Sequence, residues 1–167
     1  NPETRDWKFF KIPPGFLWRK GLYPHTIRTD RDDNVWFTVT MSNRVMMFDT
    51  RTETFTDIGL PHDGFLRWMS DTLMGVVMKI IQWFPEQNLQ LILSHHKWLN
   101  GGHSTLNMPY GIDVNPLDDS VWYGKLLGNK IGVVNRKTLE VVEYTTPHTG
   151  PRRMRFGPDG ILWIPSF

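Results

Sequence analysis

The sequence has no cysteine in 167 residues. That excludes disulfides, thiolate zinc sites and cysteine nucleophiles together, and it leaves the redox compartment open, because a cysteine-free chain tolerates either environment. A surplus of charge of one sign is also missing: nineteen Lys and Arg stand against seventeen Asp and Glu, a net charge of +2. The pI near 9.0 reflects that slight excess and not a basic stripe, so no nucleic-acid partner is expected. No uninterrupted apolar run reaches the length of about 20 residues that a membrane-spanning helix needs. The opening residues, Asn1 to Trp7, lack the basic region and apolar stretch of a signal peptide, so none is expected in this segment. What is plentiful is aromatic and turn-forming: eight Trp, ten Phe, twelve Pro and fourteen Gly. That mixture suits many short strands joined by tight turns.

The chain repeats itself. The segment from Pro24 to Pro61 lies over the segment from Pro109 to Pro147 with one extra residue in the second, and a third copy starts at Pro151. Asn1 to Pro13, Asp49 to Pro61 and Asn135 to Pro147 are the same twelve-residue step. Within a copy, strands are expected at 27–29, 35–40, 44–48 and 55–58, with Asp and Asn at the turns between them. Four strands in about 40 residues is one blade of a β-propeller. The fold class is therefore all-β: a β-propeller fragment of four-stranded blades, two nearly complete and two partial, with a helical insertion. The expected divisions are a blade end over 1–13, a blade over 22–62, the insertion over 63–106, a blade over 107–147 and a blade start over 150–167. Trp36, Trp122 and Trp163 fall in register and are expected to pack blade against blade.

The insertion interrupts the period. Phe65, Leu66, Met69, Leu73, Val76, Val77, Ile80 and Phe84 recur at steps of three and four, which predicts an amphipathic helix over about 64–84, ended by Pro85. Its apolar face is expected to pack over a face of the propeller; lying on a membrane surface and covering a protein partner or the channel are the alternatives. A strand is expected over 88–94. His95 and His96 would point to opposite faces of such a strand, and His96 with His103 would need the Gly101-Gly102 turn to meet, so no metal is assigned to them. His62 and His148 read as loop surface, and Asp32-Asp33 and Asp118-Asp119 as hairpin turns.

The motifs Pro109-Tyr110-Gly111-Ile112, Val121-Trp122-Tyr123, Gly128-Asn129-Lys130-Ile131-Gly132 and Glu140 to Pro147, with the parallel Pro24-His25-Thr26-Ile27, Val35-Trp36-Phe37-Thr38 and Ser42-Asn43-Arg44-Val45, resemble the blade signature of the streptogramin (virginiamycin B) lyase family. The resemblance implies a bacterial propeller, of the cytoplasm or of the periplasm or secreted, and a magnesium-dependent carbon–oxygen lyase that opens a cyclic ester by elimination, with its site completed by blades absent from this chain. It points to His25, in the Pro-His-x-Ile turn, as a catalytic residue. The family's glutamates, however, are replaced: the residue before each Pro is Tyr23, Met108 or Gly150, and the residue three after each Trp is Val39, Lys125 or Ser166. No metal ligand is therefore assigned in this chain, and magnesium stands only as the cofactor that the resemblance implies.

Positions that break a repeat on one face are where a site is built. The residue after each Pro reads His25, Tyr110 and Arg152, and the third after each Trp reads Val39, Lys125 and Ser166. If both sets face the axis, Tyr110, Lys125 and Arg152 form a ligand-binding, mildly cationic lining suited to a carboxylate, ester or sugar acid. The competing function is a non-catalytic propeller that binds a small molecule, glycan or protein at its axis or through the inserted helix. A calcium- or zinc-dependent lactonase would need an axial set of Glu, Asn and Asp, which these positions do not supply.

Overall fold

A computed structural model describes residues 3–18, 20–82 and 106–166. The first sheet joins β1 (Pro24–Thr29), β2 (Val35–Val39), β3 (Arg44–Asp49) and β4 (Thr54–Gly59) in that order. The second joins β5 (Pro109–Val114), β6 (Val121–Lys125), β7 (Lys130–Val134) and β8 (Val141–Thr145) in the same order. All pairings are antiparallel. A short hairpin of β9 (Arg155–Phe156) and β10 (Leu162–Trp163) begins a third blade.

The repeat is written into the backbone. Each first hairpin closes with the same bond: Asp30 N–H to the Asn34 carbonyl, Asn115 N–H to the Ser120 carbonyl and Gly157 N–H to the Ile161 carbonyl, all at 2.9–3.0 Å. The residues entering the third strands, Asn43 and Asn129, share a left-handed backbone, as do Arg5, Glu53 and Leu139 at the next turn. Asn tolerates that region better than most side chains; Asn43 Nδ2 also donates across the blade to the Leu60 and Pro61 carbonyls. Strands β1 and β5 carry the same irregularity, a register shift between Pro24 and Ile27 and between Pro109 and Ile112. Such bulges re-aim side chains, here His25 and Tyr110.

Alternation along the strands divides the core into seams. Trp36, Val45, Ile58 and Leu60 of the first blade pack on Ile112, Val121, Tyr123 and Val134 of the second. Phe37, Val39, Met46 and Phe48, on the opposite face, are covered by Ile12 and Leu22 from the preceding segment. Phe10 adds a ring 4.5 Å from that of Phe48. Residues 3–13 form no strand, since among the described residues no third strand lies beside them to supply backbone partners.

The inserted helix, α1 (Phe65–Gln82), forms as its periodicity predicts, but it docks on its other side. Asp71, Thr72 and Gly75 are buried, whereas Phe65, Leu66, Trp68, Leu73, Val77 and Ile80 are exposed. The reasons are local. A Cβ on Gly75 would lie 1.9 Å from the Leu17 carbonyl oxygen, so only glycine permits this approach to the turn at Phe16–Trp18. Asp71 accepts hydrogen bonds from His62 Nδ1 at 3.0 Å and Asn107 Nδ2 at 2.7 Å. His62, expected on the loop surface, is thus half-buried as an anchor of the helix. No described helix is long and apolar enough to cross a membrane. The expected features over 88–94 and at His95, His96 and His103 lie outside the described residues.

Candidate functional site at the inner strands

The first strand of each blade lies beside the next, β1 against β5 and β5 against β9. Close approach is required at Gly111, where a Cβ would lie 2.3 Å from the Arg152 carbonyl oxygen. Equivalent residues of three blades meet as a result. Arg28 Nε donates to Asp113 Oδ1 at 2.8 Å, Arg155 approaches the same oxygen at 3.5 Å, and Phe156 N–H donates to Asp113 Oδ2 at 2.7 Å. This Arg–Asp–Arg ladder occupies the fourth position after each Pro, a repeat-breaking set legible in the same alignment of copies that picks out His25, Tyr110 and Arg152.

One step from each Pro stand the residues singled out from the sequence. The His25 ring centroid is 3.8 Å from that of Tyr110, and the Arg152 guanidinium lies over the Tyr110 ring at 5.7 Å. Tyr23 stacks more loosely on His25, at 6.3 Å. The structure thus brings His25, Tyr110 and Arg152 into one row, with the Tyr110 ring in contact with an imidazole and near a cation. Thr38 Oγ1 donates to the Tyr110 carbonyl at 3.0 Å, which ties the row to the second strand of the first blade. His25 is half-buried, its Nδ1 3.0 Å from Thr26 Oγ1. Burial is the foremost reason that its pKa falls below the ordinary histidine value; the nearby Arg153 and Arg152 push the same way and a backbone bond with Tyr110 opposes them. Its imidazole is accordingly neutral at neutral pH and able to accept a proton.

Lys125 does not join this row. It shares a strand face with Tyr123, two residues earlier, and is fully buried at the seam between blades. Its Nζ donates to the Pro61 carbonyl and to Glu143 Oε1, each at 2.5 Å. Tyr123 Oη donates to the same Glu143 oxygen at 2.6 Å. Burial lowers the Lys125 pKa and Glu143 opposes it. The period-two pattern carried the signal for this placement: a core Tyr123 puts Lys125 on the core side. Val39, its counterpart, is fully buried, and Ser166 is exposed. The position three after each Trp is therefore a packing position in the two complete blades.

The Asp-rich turns are clamped structural corners. Arg136 of the second blade donates to Asp30 Oδ2 at 2.6 Å and Asp32 Oδ2 at 3.0 Å and pairs with Asp119 Oδ2 at 2.5 Å. Among the described residues no three His, Asp or Glu side chains are grouped to hold a metal ion. The positions to which the resemblance points for magnesium carry Tyr23, Met108, Gly150, Val39, Lys125 and Ser166, of which none offers a carboxylate. The residues present do not fit that ion.

No family model matches the chain, and no curated protein does. Among solved structures it is similar to catalytically inactive virginiamycin B lyase from Staphylococcus aureus with quinupristin, at 20% identity and TM-score 0.57, over 88% of this chain and 36% of that one. A streptogramin B lyase structure matches at 19% identity and TM-score 0.55, over 86% and 34%. Hydrazine synthase from Kuenenia stuttgartiensis matches at 12% identity and TM-score 0.54, over 86% and 29%. The chain spans about a third of the length of the two lyases. At these identities the likeness establishes the fold: the chain is built of β-propeller blades and resembles, in structure as in blade motifs, virginiamycin B lyase.

Proposed function

We propose that the chain supplies part of an axial ligand site of a β-propeller and that His25 acts there as the proton acceptor of a carbon–oxygen lyase on a cyclic ester. The observation that carries this is the His25–Tyr110–Arg152 row, in which a neutral, oriented imidazole stands beside a cation at the inner strands. Ring opening by elimination needs such a base. It takes a proton from the carbon next to the one bearing the ester oxygen; the C–H electrons form the C=C bond, the C–O bond breaks, and the acyl group leaves as a carboxylate. Magnesium is given no part in this step, because the described residues supply no ligand set for it.

The test is incubation of the product of the full-length reading frame that carries this chain with a type B streptogramin, with and without magnesium, followed by chromatography and mass spectrometry. Elimination yields a linear product without the mass gain of hydrolysis. His25→Ala is expected to slow its appearance by about 10²–10⁴-fold. Ring opening that survives this substitution places the base elsewhere. No ring opening under either condition sinks the lyase reading and leaves the second one, a non-catalytic propeller, which the Arg152–Tyr110 pair favours because a cation held on an aromatic ring is a recognition device whether or not chemistry follows.

A further inference from the structure

We infer that Tyr23 is a ligand-contact residue of the axial site, and that the ligand it receives carries a flat aromatic ring stacked on the Tyr23 ring beside His25. This rests on the axial site proposed above and deepens it by naming the chemistry of the ligand; it does not need the lyase step. The argument begins with the backbone. Tyr23, Met108 and Gly150, the residues before the three equivalent prolines, all have left-handed backbone, with φ of 61°, 49° and 68°. In that conformation the Tyr23 and Met108 carbonyls accept the Thr40 and Leu126 N–H groups at 3.2 and 2.9 Å. Glycine adopts it at no steric cost, whereas a residue with a side chain does not, and a following proline restricts such a residue further toward extended backbone. Gly150 therefore meets the turn's own requirement, and a side chain in either of the other two copies needs another reason to be there.

Met108 has that reason in packing, for it is half-buried. Tyr23 is 61% exposed, so packing accounts for little of it. Strain retained under an exposed aromatic side chain marks a binding position rather than a core one. The Tyr23 and His25 rings lie with centroids 6.3 Å apart and planes 24° from parallel, and the His25 and Tyr110 rings follow at 3.8 Å. A flat aromatic ring placed on the open Tyr23 ring continues this series. Aromatic pairing favours such a ring over a saturated one of similar size, beyond the area that either buries.

Benzamide and its saturated counterpart cyclohexanecarboxamide separate ring stacking from plain apolar burial. Titrated by NMR into the product of the full-length reading frame that carries this chain, benzamide is expected to bind saturably and about three- to tenfold more tightly than cyclohexanecarboxamide. Tyr23→Phe keeps the ring and is expected to keep this binding, whereas Tyr23→Ala and Tyr23→Gly are each expected to weaken it by about three- to tenfold. Tyr23→Gly also relieves the left-handed backbone, so its urea midpoint is expected to lie above that of the wild type. A ring that merely packed would take stability with it. Equal binding of the two amides, or no saturable benzamide binding, overturns the inference, as does benzamide binding that is unchanged in Tyr23→Gly. A Tyr23→Gly midpoint at or below that of the wild type overturns it too. Methyl glucoside that binds more tightly than benzamide also overturns it, in favour of a sugar site. Benzamide binding that depends on Tyr23, without streptogramin opening, sinks the lyase reading alone; opening with benzamide binding indifferent to Tyr23 sinks this inference alone.

Discussion

Asp30 shows how much one residue of a repeat carries when the repeat uses it as a corner. Its Oδ1 accepts the Asp32 and Asn34 N–H groups, and its Oδ2 accepts Asn34 Nδ2, Trp36 Nε1 and Arg136 Nη1, all within 3.0 Å. Burial by itself would raise its pKa; the bonds from Trp36, Asn34 and Arg136 outweigh that and hold the carboxyl at about 2, below an ordinary value of 3.8. A carboxylate whose pKa is depressed on folding stabilises the fold above its unfolded pKa, and the contribution is lost as pH falls toward the folded pKa. The shift corresponds to roughly 2 kcal/mol. Urea denaturation is therefore expected to show stability falling between about pH 4 and pH 2, and Asp30→Asn is expected to flatten that fall while lowering stability at neutral pH. A pH dependence unchanged in Asp30→Asn would show that other carboxylates carry it. The turn itself was legible, because Asp and Asn at a hairpin corner follow from local backbone chemistry. Its clamp was not, because Arg136 comes from the neighbouring blade, and proximity across blades leaves no local pattern.

At the scale of the element, α1 separates what periodicity reports from what it leaves open. Apolar residues at steps of three and four establish that a helix forms and that it has two unlike faces. They do not say which face meets the protein. Here the polar face docks, because Asp71 has His62 and Asn107 as donors and Gly75 allows the Leu17 carbonyl within reach. Gly75→Ala puts a methyl group where the Leu17 carbonyl oxygen stands, and the helix has to shift. The expected cost is about 1–3 kcal/mol, read as a loss of hydrogen-exchange protection confined to α1 and the turn at Phe16–Trp18. Protection that falls equally across both sheets would mean that the helix does not dock independently of the blades. In an isolated helix the same change would stabilise by up to about 1 kcal/mol, so the sign alone tells packing from propensity.

At the scale of the molecule, the repeat made the blades legible, and with them the strand order, the corner turns and the row His25, Tyr110 and Arg152. Lys125 is not legible from variability between copies, because its burial follows from its place on the Tyr123 face. The same logic of equivalent positions leads to a prediction about the seams. Trp36, Trp122 and Trp163 occupy one register, yet Trp36 is fully buried against the second blade, Trp122 is half-buried against Tyr144 and Phe156, and Trp163 is 66% exposed. If stability in such an array is a sum of blade and nearest-neighbour terms, truncation reads each seam separately. In the 167-residue chain, Trp36→Ala is expected to cost about 3–5 kcal/mol, Trp122→Ala roughly 1–3 kcal/mol and Trp163→Ala less than about 1 kcal/mol, from urea denaturation of each variant. Equal losses at all three would mean that the indoles stabilise their own blades rather than the seams. Where a further blade packs on the third, Trp163→Ala should instead cost as much as Trp36→Ala, because its indole would then face a neighbour as Trp36 faces the second blade.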